Sequence, residues 1–359
     1  MKYIDEYRNK ELVLSIAAQL HKISTKKIAL MEVCGGHTMS IHRFGLAALL
    51  PDNIRLISGP GCPVCVSGQQ FIDRAIAYSQ LPDAIITTYG DLIRVPGTNS
   101  SLEKEKAAGH DIRIVYSTLD ALEIAKANPA KKAVFLGVGF ETTAPATAAA
   151  ILEAKKAGLR NFLVLSAHKV MPPVMKSLVD DGVAIDGFIA PGHVSAITGT
   201  HIFDELAEKY HLGVVVAGFE PTDLMQAILI LTTQIENGTP KVENCYHRVV
   251  NSEGNKMAQE IMNQVFELRD EQWRGFGMIP LSGLKIKAEY SDFDAEIQLN
   301  IVVPQSISPK GCICGQILRG VKQPADCKLF NVTCNSINPV GACMVSAEGT
   351  CATYYKYRQ

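Results

Sequence analysis

The chain has 359 residues, enough for two or three domains of ordinary size, and a hydrophobic content of 47% that fits a soluble globular protein. Its formal net charge of -1 offers no basic field to gather phosphate backbones, which argues against a nucleic-acid partner. Ten cysteines stand out against this neutral background.

The opening segment, MKYIDEYRNKELVL, is charged and amphipathic, and a helix is expected over residues 5–21. It lacks the basic-then-apolar form of a targeting segment, and no later stretch reaches the length of a membrane span, so a cytoplasmic protein with no membrane contact is expected. From residue 28 to about 235, short β-branched runs alternate with helical patterns, the mark of an α/β protein built on parallel sheet. The expected strands are IALMEV (28–33), IRLIS (54–58), AIITTY (84–89) and IRIVYS (112–117), then AVFLGV (133–138), FLVLS (162–166), GFIAP (187–191) and GVVVAG (213–218).

These form two sets of four with matching punctuation, which suggests an internal duplication. The first strand of each set runs into a glycine-threonine turn and helix, and the second ends in serine before a proline-containing loop. Two α/β domains are therefore expected, residues 28–129 and 130–240, with residues 241–359 as a third unit against which the N-terminal helix (1–27) would pack. An amphipathic helix is expected over 253–272.

In open α/β sheets, ligands bind beyond the carboxyl ends of the strands. The unusual polar motifs fall there: CGGHT, GPGCPVC, YGDLIRVPGT, GFETTAP, SAHKVMPP, PGHVSAITG and GFEPTD. Two domains with facing loop ends would enclose a cleft lined by these motifs. In CGGHT, Cys34 would end a strand with His37 one helical turn beyond. A thiolate near a helix N-terminus has a lowered pKa and serves as nucleophile or soft-metal ligand, although a buried cysteine in a capping turn fits the same pattern. In GPGCPVC, the C-P-x-C spacing lets Cys62 and Cys65 close a small redox-active disulfide; a rigid turn with two incidental thiols is the alternative. Glu141, Thr142, Thr143, His168 and His193 complete the polar inventory, each histidine suiting a structural bond as well as chemistry. Cys245 and Trp273 read as packing residues.

Six cysteines crowd the tail between Cys312 and Cys351. In a reducing cytosol a disulfide framework is disfavoured, leaving metal binding or thiol redox chemistry. Tetrathiolate zinc sites show two close cysteine pairs. Here only Cys312 and Cys314 are close, so an iron-sulfur cluster, which accepts irregular spacing, is favoured over zinc or free thiols.

Taken together, CGGHTMSIHRFG, SGPGCPVCV, GFETTAP, PGHVSAITG, GFEP and CICGQILRG through CMVSAEGTCATYYKY resemble the HypD family of hydrogenase maturation factors, from about residue 30 to the C-terminus. The resemblance implies two similar Rossmann-like parallel-sheet domains facing a cleft, plus a cysteine-rich domain carrying a 4Fe-4S cluster. It also implies a scaffold, formed with a HypC-like chaperone, on which iron receives cyanide and carbon monoxide, the cyanide coming from a HypE-like partner and the product going to a hydrogenase large subunit. By the same resemblance Cys34 would hold that iron beside His37, and Cys62 and Cys65 would be a redox pair. Cys312, Cys327, Cys334 and Cys351 would bind the cluster, and Cys314 with Cys343 would form a neighbouring dithiol.

Two other functions compete on the residues alone. An iron-sulfur-dependent thiol/disulfide oxidoreductase would use Cys62 and Cys65 but needs no isolated Cys34 beside a histidine. A cysteine hydrolase using Cys34 leaves the tail cysteines without a role.

Overall fold

The computed structural model describes residues 5–357. Its strands, in chain order, are β1 (Ile28–Glu32), β2 (Ile54–Ser58), β3 (Ala84–Thr88), β4 (Ile112–Ile114), β5 (Lys132–Gly139), β6 (Phe162–His168), β7 (Gly187–Pro191), β8 (Gly213–Ala217), β9 (Val242–Asn244), β10 (Phe266–Trp273) and β11 (Gly277–Ile286). All eight expected strands form. Runs such as VVVA in β8 and AIITT in β3 are buried along their whole length, as expected of parallel strands covered by helices on both faces.

The strands assemble differently from two consecutive sets of four. One parallel sheet has the order β2-β1-β7-β8-β9, and the other β4-β3-β5-β6. The chain leaves the first sheet after β2, builds the whole second sheet, and returns at β7. A boundary at 129/130 thus separates strands that pair, such as Ala84 of β3 with Lys132 of β5 and Leu30 of β1 with Gly187 of β7. The matching punctuation belongs to the loops and does not set which strands share a sheet. It carries no information on lateral neighbours, which long-range pairing decides.

The two sheets are nevertheless similar. In each, an early pair of strands runs outward in one direction and later strands, three in the first sheet and two in the second, run in the other, so the strand order reverses between β1 and β7 in the first sheet and between β3 and β5 in the second. Loops diverge at such a reversal and leave a crevice at the carboxyl end.

Three further expectations change. The N-terminal helix, Lys10–Ile23, packs on the helix Pro221–Asn237 of the first sheet, burying Val13, Ile16, Ala17 and Leu20, and does not join the C-terminal region. The amphipathic helix stops at Val265, and Phe266–Trp273 pairs antiparallel with β11; partner pairing and the tight turn at Gly275 and Gly277 override the helix-forming charge pattern. Finally, residues 241–359 do not form one unit. β9 completes the first sheet, while the β10–β11 hairpin packs on the second through Phe266, Leu284 and Ile286. The cysteine-rich part is a cap formed by residues 311–357, whose last helix, Thr350–Tyr357, lies on the helix Gly35–Arg43. No helix among the described residues is long and apolar enough to cross a membrane.

Candidate functional site

The loops at both strand-order reversals meet. From the first sheet, β1 delivers Cys34 and β7 delivers His193, whose Nδ1 lies 3.8 Å from the Cys34 sulfur. From the second, the residues after β3 (Tyr89, Gly90, Asp91) and after β5 (Phe140, Thr142, Thr143) line a cleft of about 800 Å³. His193, Pro63, Val64 and Glu348 of the cap line it too.

Cys34 is the N-cap residue of the helix Gly35–Arg43 and lies buried behind the cleft wall. The helix terminus was expected to lower its pKa. Burial first, then the carboxylate of Glu348, push it upward, and Glu32 adds to this. A thiol in such surroundings stays protonated unless a cation compensates its charge, so the site suits a metal ligand better than a free nucleophile. Glu32 is itself buried, accepts from the Cys34 backbone N–H at 3.2 Å and from the Thr38 hydroxyl, and has its pKa pushed up to about 8 by burial.

His37 and His193 flank Phe219, with ring centroids 5.1 and 5.5 Å from it. Burial lowers their pKa values to about 3 and about 4, the neighbouring His193 adding to the effect on His37. Both are neutral imidazoles at pH 7, the form that ligates metals. The His37 ring is fully buried and faces the backbone of Ala217 and Gly218, whose interactions only partly offset the effect of burial.

The GPGCPVC loop is pressed against Cys34: a Cβ at Gly61 would overlap the Cys34 backbone. Cys62 and Cys65 form a disulfide with Cα atoms 5.2 Å apart. Pro63 and Val64 face the cleft, while both sulfurs are buried, that of Cys65 lying 3.9 Å from the Ala342 carbonyl in the cap. The loop therefore stands between cleft and cap.

Within the cap, Cys312, Cys314, Cys327, Cys334, Cys343 and Cys351 line one small cavity whose other walls include Ile317, Leu329, Phe330 and Met344. Burial and neighbouring thiols raise Cys351, and Cys314 together with burial raises Cys312. Cys314 interacts with both Cys312 and Cys343. Among the described residues no group of His, Cys, Asp or Glu side chains is arranged to hold a single metal ion; the cap offers an apolar chamber walled by six thiols.

Other expected residues take structural posts. Glu141 accepts from the Met171 backbone N–H at 2.8 Å through one oxygen, so it caps the helix Met171–Asp180 and stays out of the cleft lining. Thr142 does line the cleft. His168 bonds Thr147 at 3.0 Å and is a core residue. Cys245 donates to the Val216 carbonyl, and Trp273 is fully buried, as expected of packing residues. Glu32, Phe219 and Glu348 were not singled out by sequence. Glu32 reads as a strand end, and Glu348 lies 314 positions from Cys34 in the chain, so only their placement reveals them.

Fold and site together define an α/β protein that gathers a buried thiol, two neutral imidazoles and a disulfide beneath a six-cysteine cap. The profile of the HypD family, described as the hydrogenase formation hypA family, matches residues 9–358. The chain is 48% identical to hydrogenase maturation factor HypD2 of Bradyrhizobium diazoefficiens, covering 99% of this chain and 97% of that one. It is 46% identical to HypD of Cupriavidus necator over 99% and 97%, and 44% identical to HypD of Escherichia coli over 100% and 99%. The chain belongs to the HypD family, and its function is hydrogenase maturation.

Proposed function

We propose that the chain, with a HypC-like chaperone, forms the scaffold on which the Fe(CN)2CO group of nickel-iron hydrogenase is assembled in the cytoplasm. Iron is the cargo and Cys34 its anchor, with a HypE-like partner donating cyanide and the hydrogenase large subunit as the eventual recipient. The observation that carries this reading is the Cys34 environment. A thiol buried this deeply, with the Glu348 side chain nearby, ionises only against a bound cation, and two neutral imidazoles stand beside it.

The cap fits a 4Fe-4S cluster by its donor set: six cysteines around an apolar chamber, four of them (Cys312, Cys327, Cys334 and Cys351) as ligands and Cys314 with Cys343 as a dithiol. Such a cluster, when bound, supplies single electrons at low potential. The Cys314–Cys343 contact and the approach of Cys65 to Ala342, next to Cys343, support a chain of sulfur groups leading from the cap toward Cys34.

An independent thiol/disulfide oxidoreductase is the second reading. The two buried sulfurs of Cys62 and Cys65, turned away from the cleft, give a protein substrate little access.

Infrared spectroscopy of the chain purified anaerobically with its HypC-like partner tests the scaffold. Bands of iron-bound cyanide and carbon monoxide are expected, and should vanish in Cys34→Ala. An intact, active complex without such bands overturns the proposal.

A further inference from the structure

Phe219 lies between β8 and the helix Pro221–Asn237. Its half-buried ring stands against both imidazoles of the Cys34 site, tilted by 41° to His37 and 39° to His193. The fit on the His37 side is close: a Cβ at Gly36 would come within 3.2 Å of two ring carbons, so the backbone that carries His37 seats directly on the ring. Tyr246 meets Phe219 edge to face, with centroids 6.1 Å apart. The mount behind it is fixed. The Arg248 guanidinium lies 4.4 Å over the Tyr246 ring, and its Nη1 and Nη2 donate to the two oxygens of Asp223 at 2.7 and 2.6 Å. Asp223 is buried and accepts from the Glu220 N–H at 3.2 Å, closing the first turn of the helix that follows Phe219.

One thiol and two imidazoles are the donor types of a zinc site with an open position. Zinc binds such nitrogen and sulfur donors more tightly than ferrous iron does, so a site that handles iron gains from not presenting the set to one ion. Here the set does not converge. The Cys34 sulfur approaches Nδ1 of His193 at 3.8 Å, yet among the described residues these side chains and their acidic neighbours form no group able to hold a metal ion. Phe219 is the ring that both imidazoles touch.

We propose that Phe219 is a positioning residue that sets metal selectivity: it holds His37 and His193 away from a shared point with Cys34, so that the thiol serves iron as a single anchor and zinc finds no chelate. The inference rests on reading Cys34 as the iron anchor, and adds what keeps a competing metal out. A single protein anchor also leaves positions on the ion free for a partner's donor and for diatomic ligands, which a three-donor chelate would occupy. The bulk of the side chain carries the effect. Leucine should therefore serve in its place, and alanine should not.

The test measures zinc binding to full chains purified anaerobically: wild type, Phe219→Ala and Phe219→Leu, each also combined with His37→Ala and with Cys34→Ala. Zinc is added in competition with a chromophoric chelator, and cobalt absorption in the visible range reports a thiolate-imidazole site. Differences within each background cancel whatever the cap thiols take up. Phe219→Ala is expected to bind zinc roughly ten- to a hundredfold tighter than wild type, at a site lost with either His37→Ala or Cys34→Ala, while Phe219→Leu behaves as wild type. A purely structural role predicts lower stability and no new zinc site. Unchanged zinc binding in Phe219→Ala, a gain that survives loss of His37 or Cys34, or a wild type that already shows a His37-dependent zinc site overturns the inference. Where Phe219→Ala does not fold, Phe219→Val opens part of the same space and is read in the same way. Failure of the scaffold reading shows instead in the infrared bands, which this measurement does not use.

Discussion

Gly61 and Cys34 lie in backbone contact, so the loop that carries the disulfide and the turn that carries the buried thiol are packed as one piece. A methyl group at residue 61 has no room there. Gly61→Ala is expected to destabilise the chain by about 2–4 kcal/mol, the range of overpacked or strained core sites, and to separate the two motifs. Chemical denaturation measures the loss. A variant as stable as wild type would show that the two motifs are not rigidly joined.

Gly275 and Gly277 provide an internal control for how the hairpin meets the cap. Their φ angles are nearly equal, +85° and +84°, yet a Cβ at 275 would strike Gly315 while one at 277 would meet open space. Gly277→Ala should cost only the left-handed strain, about 1–2 kcal/mol. Gly275→Ala should cost at least about 2 kcal/mol more and raise the proteolytic susceptibility of residues 311–357. Equal losses would mean the contact with Gly315 contributes nothing.

The dithiol assignment predicts a difference between the cap cysteines and the one beside the first sheet. Cys314→Ser and Cys343→Ser are expected to lower hydrogenase maturation in cells severely, while Cys245→Ser, at the edge of the first sheet, should leave it near normal. Hydrogenase activity of strains carrying each variant measures this. Full maturation in both the Cys314→Ser and the Cys343→Ser strains would exclude a sulfur relay through the cap.

Glu141 gives a pH signature. Burial raises its folded-state pKa to about 7 from an ordinary value of 4.5, so between these values the native state holds a proton that the unfolded state releases. Stability from this group therefore falls as pH rises from about 4.5 to 7. His168 acts with the opposite sign: lowered by burial to about 4 from 6.5, it makes stability rise as pH rises from about 4 to 6.5. The two oppose each other over most of that range. Glu141→Gln removes one side, so its stability relative to wild type should improve between pH 4.5 and 7, by on the order of 2–3 kcal/mol. Urea melts across this range check it, and a difference that does not change with pH would refute it.

The strands were legible because buried parallel strands read as β-branched runs, and the carboxyl-end rule placed Cys34, Cys62, Cys65, Thr142 and His193 near one another before any coordinates. The rule was less useful for Glu141, since a carboxylate at a strand end can equally turn to cap a neighbouring helix, as it does toward Met171. Sheet membership was hidden, because β1 could pair with β7 or β5 on local pattern alone. The field around Cys34 was hidden for a related reason. A helix N-terminus can be seen in sequence, but Glu348, arriving from the cap, cannot, and it adds to the burial that reverses the direction of the thiol pKa shift.

The insertion of one sheet within the other also orders events during synthesis. The strands β3 to β6 can pair with one another once residue 168 has left the ribosome, although the hairpin that completes their core through Phe266, Leu284 and Ile286 is made later. β1 has β2 on one side and an open edge on the other until β7 emerges. Since His193 follows β7 directly, Cys34 gains this second imidazole neighbour in the same step that closes that edge. The thiol is thus made on an unfinished sheet, and the strand and histidine that enclose it come from a part of the chain synthesised much later.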